Sequence, residues 1–257
     1  MIEKKKGENK VELYDSIAKH YSLITRDKDW YAEAMSLQNY YYLFSSVYRP
    51  NNILDIGCGV GHHLKHLTPM WKLLHGIDAS KDMLDLAREN VSSKVQLYHM
   101  KLEECNELLP GKLYNMIMAN YAIINHNLRL EKLDCFFKAV AAMLLPDGIF
   151  IFDYISRTAS LADPPRDNTQ VYDDGLLIKN TSDYNKEIGF LKLKKNILWQ
   201  GNPFAKIEFS MTLWDKIIFD DLAKKYHLEE VGHFKQLTTE VANEETYKVT
   251  AIYKMKA

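Results

Sequence analysis

Ile53-Leu54-Asp55-Ile56-Gly57-Cys58-Gly59-Val60-Gly61 is the stretch from which the fold can be read. Ile53, Leu54 and Ile56 have the unbroken apolar character of a buried parallel strand, with Asp55 near its carboxyl end. Glycines follow at alternate positions, and without a Cβ the backbone there can turn sharply and approach a ligand closely. A second apolar run, Leu73-Leu74-His75-Gly76-Ile77, ends in Asp78, 21 residues beyond Gly57. A βαβ unit that binds a nucleoside carries an acid at this place, where it meets the ribose hydroxyls. The G-x-G-x-G spacing departs from the G-x-G-x-x-G of dinucleotide sites, which disfavours a nicotinamide-dependent oxidoreductase. The competing reading is a turn whose glycines serve backbone geometry alone.

Composition fits one enzyme-sized unit. The chain has 257 residues, 47% hydrophobic and 26% charged, with a net charge of -1. That length buries a sizeable core, and the charge balance makes no electrostatic case for a nucleic-acid partner. Lys4-Lys5-Lys6 reads as a solvated terminus rather than a binding arm. No apolar stretch reaches the ~18 residues of a membrane span, and the polar start lacks a signal-peptide apolar region. The expectation is a cytoplasmic protein with no membrane partner. Cys58, Cys105 and Cys135 are odd in number and widely spaced, against a disulfide framework or zinc site. His62 and His66 share a helical face at ligand spacing, but H-E-x-x-H lacks its Glu and no third ligand is evident, so no metal is expected.

Along the chain, two amphipathic stretches, Val11 to Tyr21 and Trp30 to Tyr48, precede alternating strands and helices. Strands are expected at Ile53–Ile56, Leu73–Ile77, Val95–Met100, Tyr114–Ala119 and Gly148–Ile155, with helices after Gly61, from Ser80 to Glu89 and from Leu130 to Leu145. Pro146-Asp147-Gly148 reads as a turn. After a loop from Ala159 to Asp174, three alternating runs, Leu176–Thr181, Ile188–Trp199 and Lys206–Trp214, predict an antiparallel insertion with turns at Tyr184-Asn185 and Gly201-Asn202-Pro203. A helix, Asp215–Tyr226, and a hairpin of Leu228–Phe234 with Tyr247–Tyr253 close the sheet edge. The fold class is α/β, an open doubly wound sheet with ligands at the carboxyl ends of its strands.

With these elements in order, the chain from Tyr14 onward resembles class I S-adenosylmethionine (SAM)-dependent methyltransferases. The carriers are the D-x-G-x-G-x-G loop, Asp78, Tyr114-Asn115-Met116-Ile117-Met118-Ala119-Asn120 and Leu145-Pro146-Asp147-Gly148. Asn115 and Asp147 depart mildly from the family's F-D strand and L-x-P-G-G turn. Within the class, Ile17-Ala18-Lys19-His20-Tyr21-Ser22, Asp29-Trp30-Tyr31-Ala32-Glu33-Ala34 and the insertion are similar to small-molecule N-methyltransferases, namely the nucleotide-amino-sugar N,N-dimethyltransferases and the glycine N-methyltransferase group. The resemblance implies a Rossmann-like, mostly parallel seven-stranded sheet with a C-terminal antiparallel hairpin strand. It implies a helical lid over 1–48, a SAM-binding core over 49–158 and 215–257, and an insertion over 159–214 that forms a cap or a homodimer surface.

The resemblance also assigns residues. SAM would meet Asp55, Gly57, Cys58, Gly59 and Gly61 at its methionine tail, Asp78 at its ribose, and Ala79 and Met83 on its adenine. Asn120 and the lid aromatics Tyr14 and Tyr21 complete that set. Many relatives carry an acid after strand three, whereas Met100-Lys101-Leu102 stands here, and lysine cannot accept from the adenine amine. The Leu102 amide is the expected substitute, with Glu103 behind it. Tyr121, Asn125, His126 and Tyr154, with Asp153 beside it, are expected to line the acceptor pocket, with His126 as base or orienter. The implied reaction moves a methyl from SAM to a small molecule, leaving S-adenosylhomocysteine (SAH), with nitrogen ahead of a hydroxyl or carboxylate oxygen. A non-catalytic SAM-binding protein is a further alternative.

Overall fold

The computed structural model describes residues 18, 21–47, 51–101, 104 and 113–256. Its main layer is a seven-stranded sheet of β1 (Asn52–Ile56), β2 (Leu73–Asp78), β3 (Val95–His99), β4 (Tyr114–Ala119), β5 (Leu144–Ile155), β10 (Leu228–Lys235) and β11 (Lys248–Met255). The strand order is β10-β11-β5-β4-β1-β2-β3. Strands β1 to β5 pair in parallel, and β11 runs antiparallel to both β5 and β10. The chain leaves β1 toward one edge and resumes at β4 on the other side of β1, so a crevice opens at the carboxyl ends of β1 and β4.

Helices cover both faces, which is why the strands read as continuous apolar runs. On one face, α2 (Trp30–Phe44), α3 (His62–Leu67) and α4 (Lys81–Asn90) deliver Leu37, Tyr40, Tyr41, Leu64, Leu67 and Leu84 to the core. On the other, α5 (Leu130–Met143) and α7 (Lys216–Lys225) bring Leu133, Phe137, Val140 and Phe219 against Phe150 and Phe152. Side-chain caps set two of these helices: Asp29 accepts from the Ala32 amide and Ser80 from the Met83 amide. Helix α1 is a single turn, Tyr21–Ile24.

The two departures from the family pattern have structural work. Asn115 Oδ1 accepts from the amides of Asn51 and Asn52 at 3.0 and 3.1 Å and ties β4 to the start of β1. Asp147 adopts a left-handed backbone with φ 63. Its carboxylate accepts from Ser46 and pairs with Lys254, locking the end of α2 to the sheet. The expected Pro146-Asp147-Gly148 turn therefore sits inside β5 as an excursion, where the pairing jumps from Tyr114–Leu144 to Met116–Ile149.

The insertion differs from the expected three strands. It is a four-stranded antiparallel sheet of β6 (Asn168–Val171), β7 (Leu176–Asn185), β8 (Phe190–Trp199) and β9 (Asn202–Thr212), preceded by α6 (Arg157–Ala162). β6 is an exposed polar edge strand, so no apolar alternation marks it. Tyr184-Asn185 lies within β7 rather than in a turn, whereas Gln200-Gly201, both at positive φ, make the two-residue hairpin between β8 and β9. α2 ends at Phe44, short of the expected Tyr48. No helix among the described residues is long and apolar enough to cross a membrane.

Candidate functional site

A cavity of about 410 Å³ opens at the carboxyl ends of β1, β2 and β4. Its floor is the glycine loop, pinned to β2 by the Gly57 and Cys58 amides, which donate to the Ile77 carbonyl at 2.8 and 3.0 Å. Gly57 has φ 69, and a Cβ there would fall 2.4 Å from Ile123 Cδ1. Gly59 has φ 53 but nothing within 4 Å of a Cβ, so its α-carbon faces open cavity. Gly57 thus answers to packing and Gly59 to the space a ligand fills.

Asp78 ends β2 beside the loop. Its two carboxylate oxygens accept from the amides of Gly59 and Ser80, each at 2.8 Å. With the Ala79 amide also acting on it, the carboxylate still keeps acceptor capacity for a further donor. Burial raises the Asp78 pKa more than the backbone amides of Ser80, Gly59 and Ala79 lower it. Asp55 is 2% exposed. Burial first, with the charge of Asp78 added and that of His63 opposing, raises its pKa from 3.8 to about 7. Burial also holds the Cys58 thiol well above its ordinary pKa, so it packs as a small apolar group.

Asn120 follows β4 and is 3% exposed, and neither its amide oxygen nor its amide nitrogen has a partner among the described residues. The next two residues, Tyr121 and Ala122, both have positive φ. Two acids hold this strained corner. Buried Asp153 accepts from the Ala122 amide and from Gln236 Nε2, while Glu33 of α2 accepts from the Tyr121 hydroxyl. Glu33 also meets His63 Nε2 at 3.2 Å and Lys28 Nζ at 3.2 Å. Burial pushes the Glu33 carboxyl up, but hydrogen bonds from His63 and Tyr121 and the Lys28 charge outweigh it and bring the pKa from 4.5 to about 2. Trp30 stacks on His62 with centroids 4.3 Å apart, and burial lowers the His62 pKa to about 4, leaving it neutral.

The expected residues divide. Tyr21, Asp55, Gly57, Cys58, Gly59, Asp78, Ala79, Met83, Asn120, Tyr121 and His126 line the cavity, and Lys101 stands at its rim. Gly61 sits behind the loop as the cap residue of α3. Asn125 is turned away: its Nδ2 donates to the Thr212 carbonyl at 2.9 Å and its Oδ1 accepts from the Ile155 amide at 2.9 Å. That amide joins β5 to β9. Tyr154 also points away, with its hydroxyl 3.0 Å from His233 Nε2 and its ring 4.9 Å from Phe219. Asp153 is consumed by the backbone clamp. Tyr14, Leu102 and Glu103 lie outside the described residues. Trp30, His62 and His63 form a wall, with Glu33 behind it, that sequence reasoning did not assign, since the Glu33 contacts join positions 30 and 88 residues apart.

The fit of SAM rests on the orphaned groups. The buried Asn120 amide and the buried His62 Nε2 lack partners among cavity-lining residues, Asp55 supplies a carboxylate, Asp78 retains acceptor capacity, and Gly59 leaves room. A ligand with an ammonium group, hydroxyls and a flat base matches that donor and acceptor set. Among the described residues, no cluster of three or more His, Cys, Asp or Glu is arranged to hold a metal ion.

Comparison with known proteins adds to this geometry. Residues 53–148 match the model of a methyltransferase domain. The chain is 29% identical over 142 residues to a dTDP-3-amino-3,6-dideoxy-alpha-D-glucopyranose N,N-dimethyltransferase from Streptomyces fradiae, a match covering 55% of this chain and 51% of the relative. The chain thus spans about half the length of that relative. A SAM-dependent methyltransferase from Clostridium acetobutylicum ATCC 824 superposes with a TM-score of 0.78 at 19% identity, covering 95% of this chain and 99% of that one. A sugar N-methyltransferase from Streptoalloteichus sp ATCC 53650 gives 0.74 at 16% identity, covering 100% and 98%. At these identities the two structures show a shared fold.

Proposed function

From a chain that carries a class I SAM-dependent methyltransferase domain, we propose an enzyme that transfers the methyl of SAM to the amine nitrogen of a small molecule. The observation that carries the proposal is the buried, unpartnered Asn120 amide beside Asp55 and Asp78 at the open glycine loop. Asp78 would accept from both ribose hydroxyls, Asp55 and Asn120 would take the ammonium of the methionine tail, and Ala79 and Met83 would flank the adenine. When bound, SAM supplies an electrophilic methyl on a sulfonium. The protein's share is to hold the acceptor in line with that methyl and to exclude water, effects worth up to ~7–11 kcal/mol in intramolecular analogues. Tyr121, fixed by Glu33, and Trp30 and Tyr21 form the wall over this space. The helices at the N-terminal side act as a lid, and the second sheet acts as a cap because its inner face packs on Val60 and Met83.

Nitrogen is favoured because an amine needs only to arrive unprotonated, and because similar proteins are named as sugar N,N-dimethyl- and N-methyltransferases. His126 at the cavity wall is the observation that favours a hydroxyl acceptor, for which it would serve as base. Calorimetric titration with SAM, SAH and NAD tests the ligand, and product analysis after turnover with amine and hydroxy acceptors separates nitrogen from oxygen. Micromolar binding of the two adenosyl ligands alone is expected. Binding of NAD with no response to SAM would overturn the proposal.

A further inference from the structure

His62 opens α3 directly after the glycine loop and lines the cavity. Aromatic rings set the plane of its imidazole: Trp30 stacks on it with centroids 4.3 Å apart, and Tyr21 lies near-parallel at 6.4 Å. The rotation of the ring within that plane is set by Asn90, the last residue of α4. Asn90 Nδ2 lies 3.3 Å from His62 Nδ1 and donates to the Val60 carbonyl at 3.0 Å, while Asn90 Oδ1 accepts from Lys65 Nζ at 3.0 Å. These contacts leave the Asn90 amide one orientation. Turned over, it would set its oxygen against the Val60 carbonyl and its nitrogen against the Lys65 ammonium, so the nitrogen is the atom that faces His62.

That orientation decides where the imidazole carries its proton. An amide nitrogen only donates, with one hydrogen for Val60 and one for His62, so His62 Nδ1 offers a lone pair. The single proton of the neutral ring then sits on Nε2. Burial, which lowers the His62 pKa from 6.5 to about 4, agrees with a neutral ring. His62 Nε2 is therefore an N–H donor, and it is buried with no partner among the described residues. A buried donor left unsatisfied costs free energy that an acceptor on a ligand recovers.

The glycine loop beside it has little to give the same acceptor. The Gly57 and Cys58 amides are spent on the Ile77 carbonyl, the Gly61 amide on the Cys58 carbonyl at 2.9 Å and the Gly59 amide on Asp78 at 2.8 Å. Asp55 and Asp78 can only accept when ionised. Asn120, the other side chain of the cavity lining with orphaned polar atoms, follows β4, whereas His62 adjoins the loop itself.

We propose that Asn90 is a positioning residue that holds His62 as its Nε2–H tautomer, and that this N–H donates to the carboxylate on the methionine tail of the adenosyl ligand. The inference rests on the methyltransferase reading of the cavity and deepens it. Carboxylate recognition passes from the backbone of the loop to a side chain whose proton is placed from α4. An ionised acceptor makes this bond stronger than a neutral pair.

The test uses SAH and its decarboxylated analogue, in which hydrogen replaces the carboxylate, titrated by calorimetry into wild type, His62→Phe and Asn90→Leu. Wild type is expected to bind SAH about tenfold or more tightly than the analogue. His62→Phe keeps a ring to stack on Trp30 but has no donor, and should lose most of that preference. Asn90→Leu should lower it as well, because the proton is then free to move to Nδ1. An Asn90 that only braced the loop would weaken both ligands alike and leave their ratio unchanged. The tautomer is read from long-range proton–nitrogen correlation spectra of ligand-free protein with isotope-labelled histidine, the His62 signals being those lost in His62→Phe. Wild type should show a protonated Nε2 and a bare Nδ1, and Asn90→Leu a mixture of tautomers. Equal binding of SAH and its analogue by wild type, an unchanged ratio in either variant, or a wild-type proton on Nδ1 would each overturn the assignment. The first and last of these need no variant that might fail to fold. Intact SAH binding with an unchanged ratio defeats the role of His62 alone, whereas a wild type that does not bind SAH defeats the methyltransferase reading.

Discussion

Lowering the pH should weaken SAH binding, with the slope set by a single buried carboxyl. Burial raises the Asp55 pKa from 3.8 to about 7, a shift of about three units, or ~4 kcal/mol of difference between its protonation states. Because the folded-state value is the higher one, this stabilising contribution is fully present below 3.8 and is lost as the pH rises through about 7. The unliganded protein therefore prefers Asp55 neutral, whereas an ammonium ligand needs it ionised. With a pKa near 7, about 3% of the carboxyl is ionised at pH 5.5 and about 75% at pH 7.5, so affinity should rise on the order of 25-fold across that interval.

Asp55→Asn separates the two effects. Without ligand the variant should be more stable than wild type at pH 7.5 by ~1–3 kcal/mol, since a desolvated charge has been removed, and the gain should vanish near pH 4. Its SAH affinity should fall below wild type at pH 7.5 and lose most of the pH slope. Any slope that remains belongs to Asp78, which burial also pushes up. The assay is calorimetry at pH 5.5, 6.5 and 7.5 at matched ionic strength, with thermal melts alongside. A wild-type affinity that changes less than about threefold, or an Asp55→Asn protein that keeps the full slope, would refute the reasoning.

Three further outcomes are expected. Asp78→Asn should weaken SAH by ~1–3 kcal/mol by calorimetry, through loss of charge-assisted hydrogen bonds to the ribose; unchanged affinity in the folded variant would move the ribose elsewhere. Gly57→Ala should destabilise by ~2–4 kcal/mol in denaturant unfolding, from the φ of 69 and the 2.4 Å approach to Ile123 Cδ1. Adding Ile123→Ala should return the packing part and leave the backbone part, and a strictly additive double mutant would contradict this. Glu33→Gln should cost ~1–3 kcal/mol at pH 7. The Glu33 contribution is present above 4.5 and lost as the pH falls through about 2, so the difference from wild type should narrow over that window in acid melts; a gap independent of pH would remove the ionic part of the argument.

Much of the fold was legible because its signals are local. Buried parallel strands show as unbroken apolar runs such as Ile149–Phe152, every residue of which is buried. The glycine loop was legible for a related reason, since closely spaced glycines and a following acid declare a backbone shape. The missed elements lack such signals. β6 is exposed along its whole length, and α6 is a helix of only six residues. Tyr154 shows a different limit. At the end of a strand covered on both faces, Asp153 and Tyr154 are both buried, so alternation cannot say which of them meets the cavity, and here neither does. Asn125 looked available because it follows β4, yet its amide is spent on two backbone partners from β5 and β9.

The corner that follows β4 is built almost entirely from such distant pairings. Tyr121 and Ala122 both take left-handed backbone conformations, which for residues with a Cβ cost ~1–2 kcal/mol each. Within the loop the Asn125 amide donates to the Ala122 carbonyl at 2.9 Å, a single neutral bond. The compensation comes from Asp153 at the end of β5 and from Glu33 on α2, whose hydrogen bonds, made by charged acceptors in a buried setting, are of the same order. The corner persists because two separate elements hold it, and its effect is to leave the Asn120 amide at the cavity without a partner among the described residues. Loosening either acid should therefore let the corner relax to an ordinary conformation and move Asn120. On this argument Glu33→Gln, although Glu33 is outside the cavity lining, weakens SAH binding as well as stability, and Tyr121→Phe, which removes the same hydrogen bond from the other side, does so to a similar extent. Calorimetry on both variants decides it: undiminished SAH affinity in two folded but destabilised proteins would mean the corner holds Asn120 without Glu33.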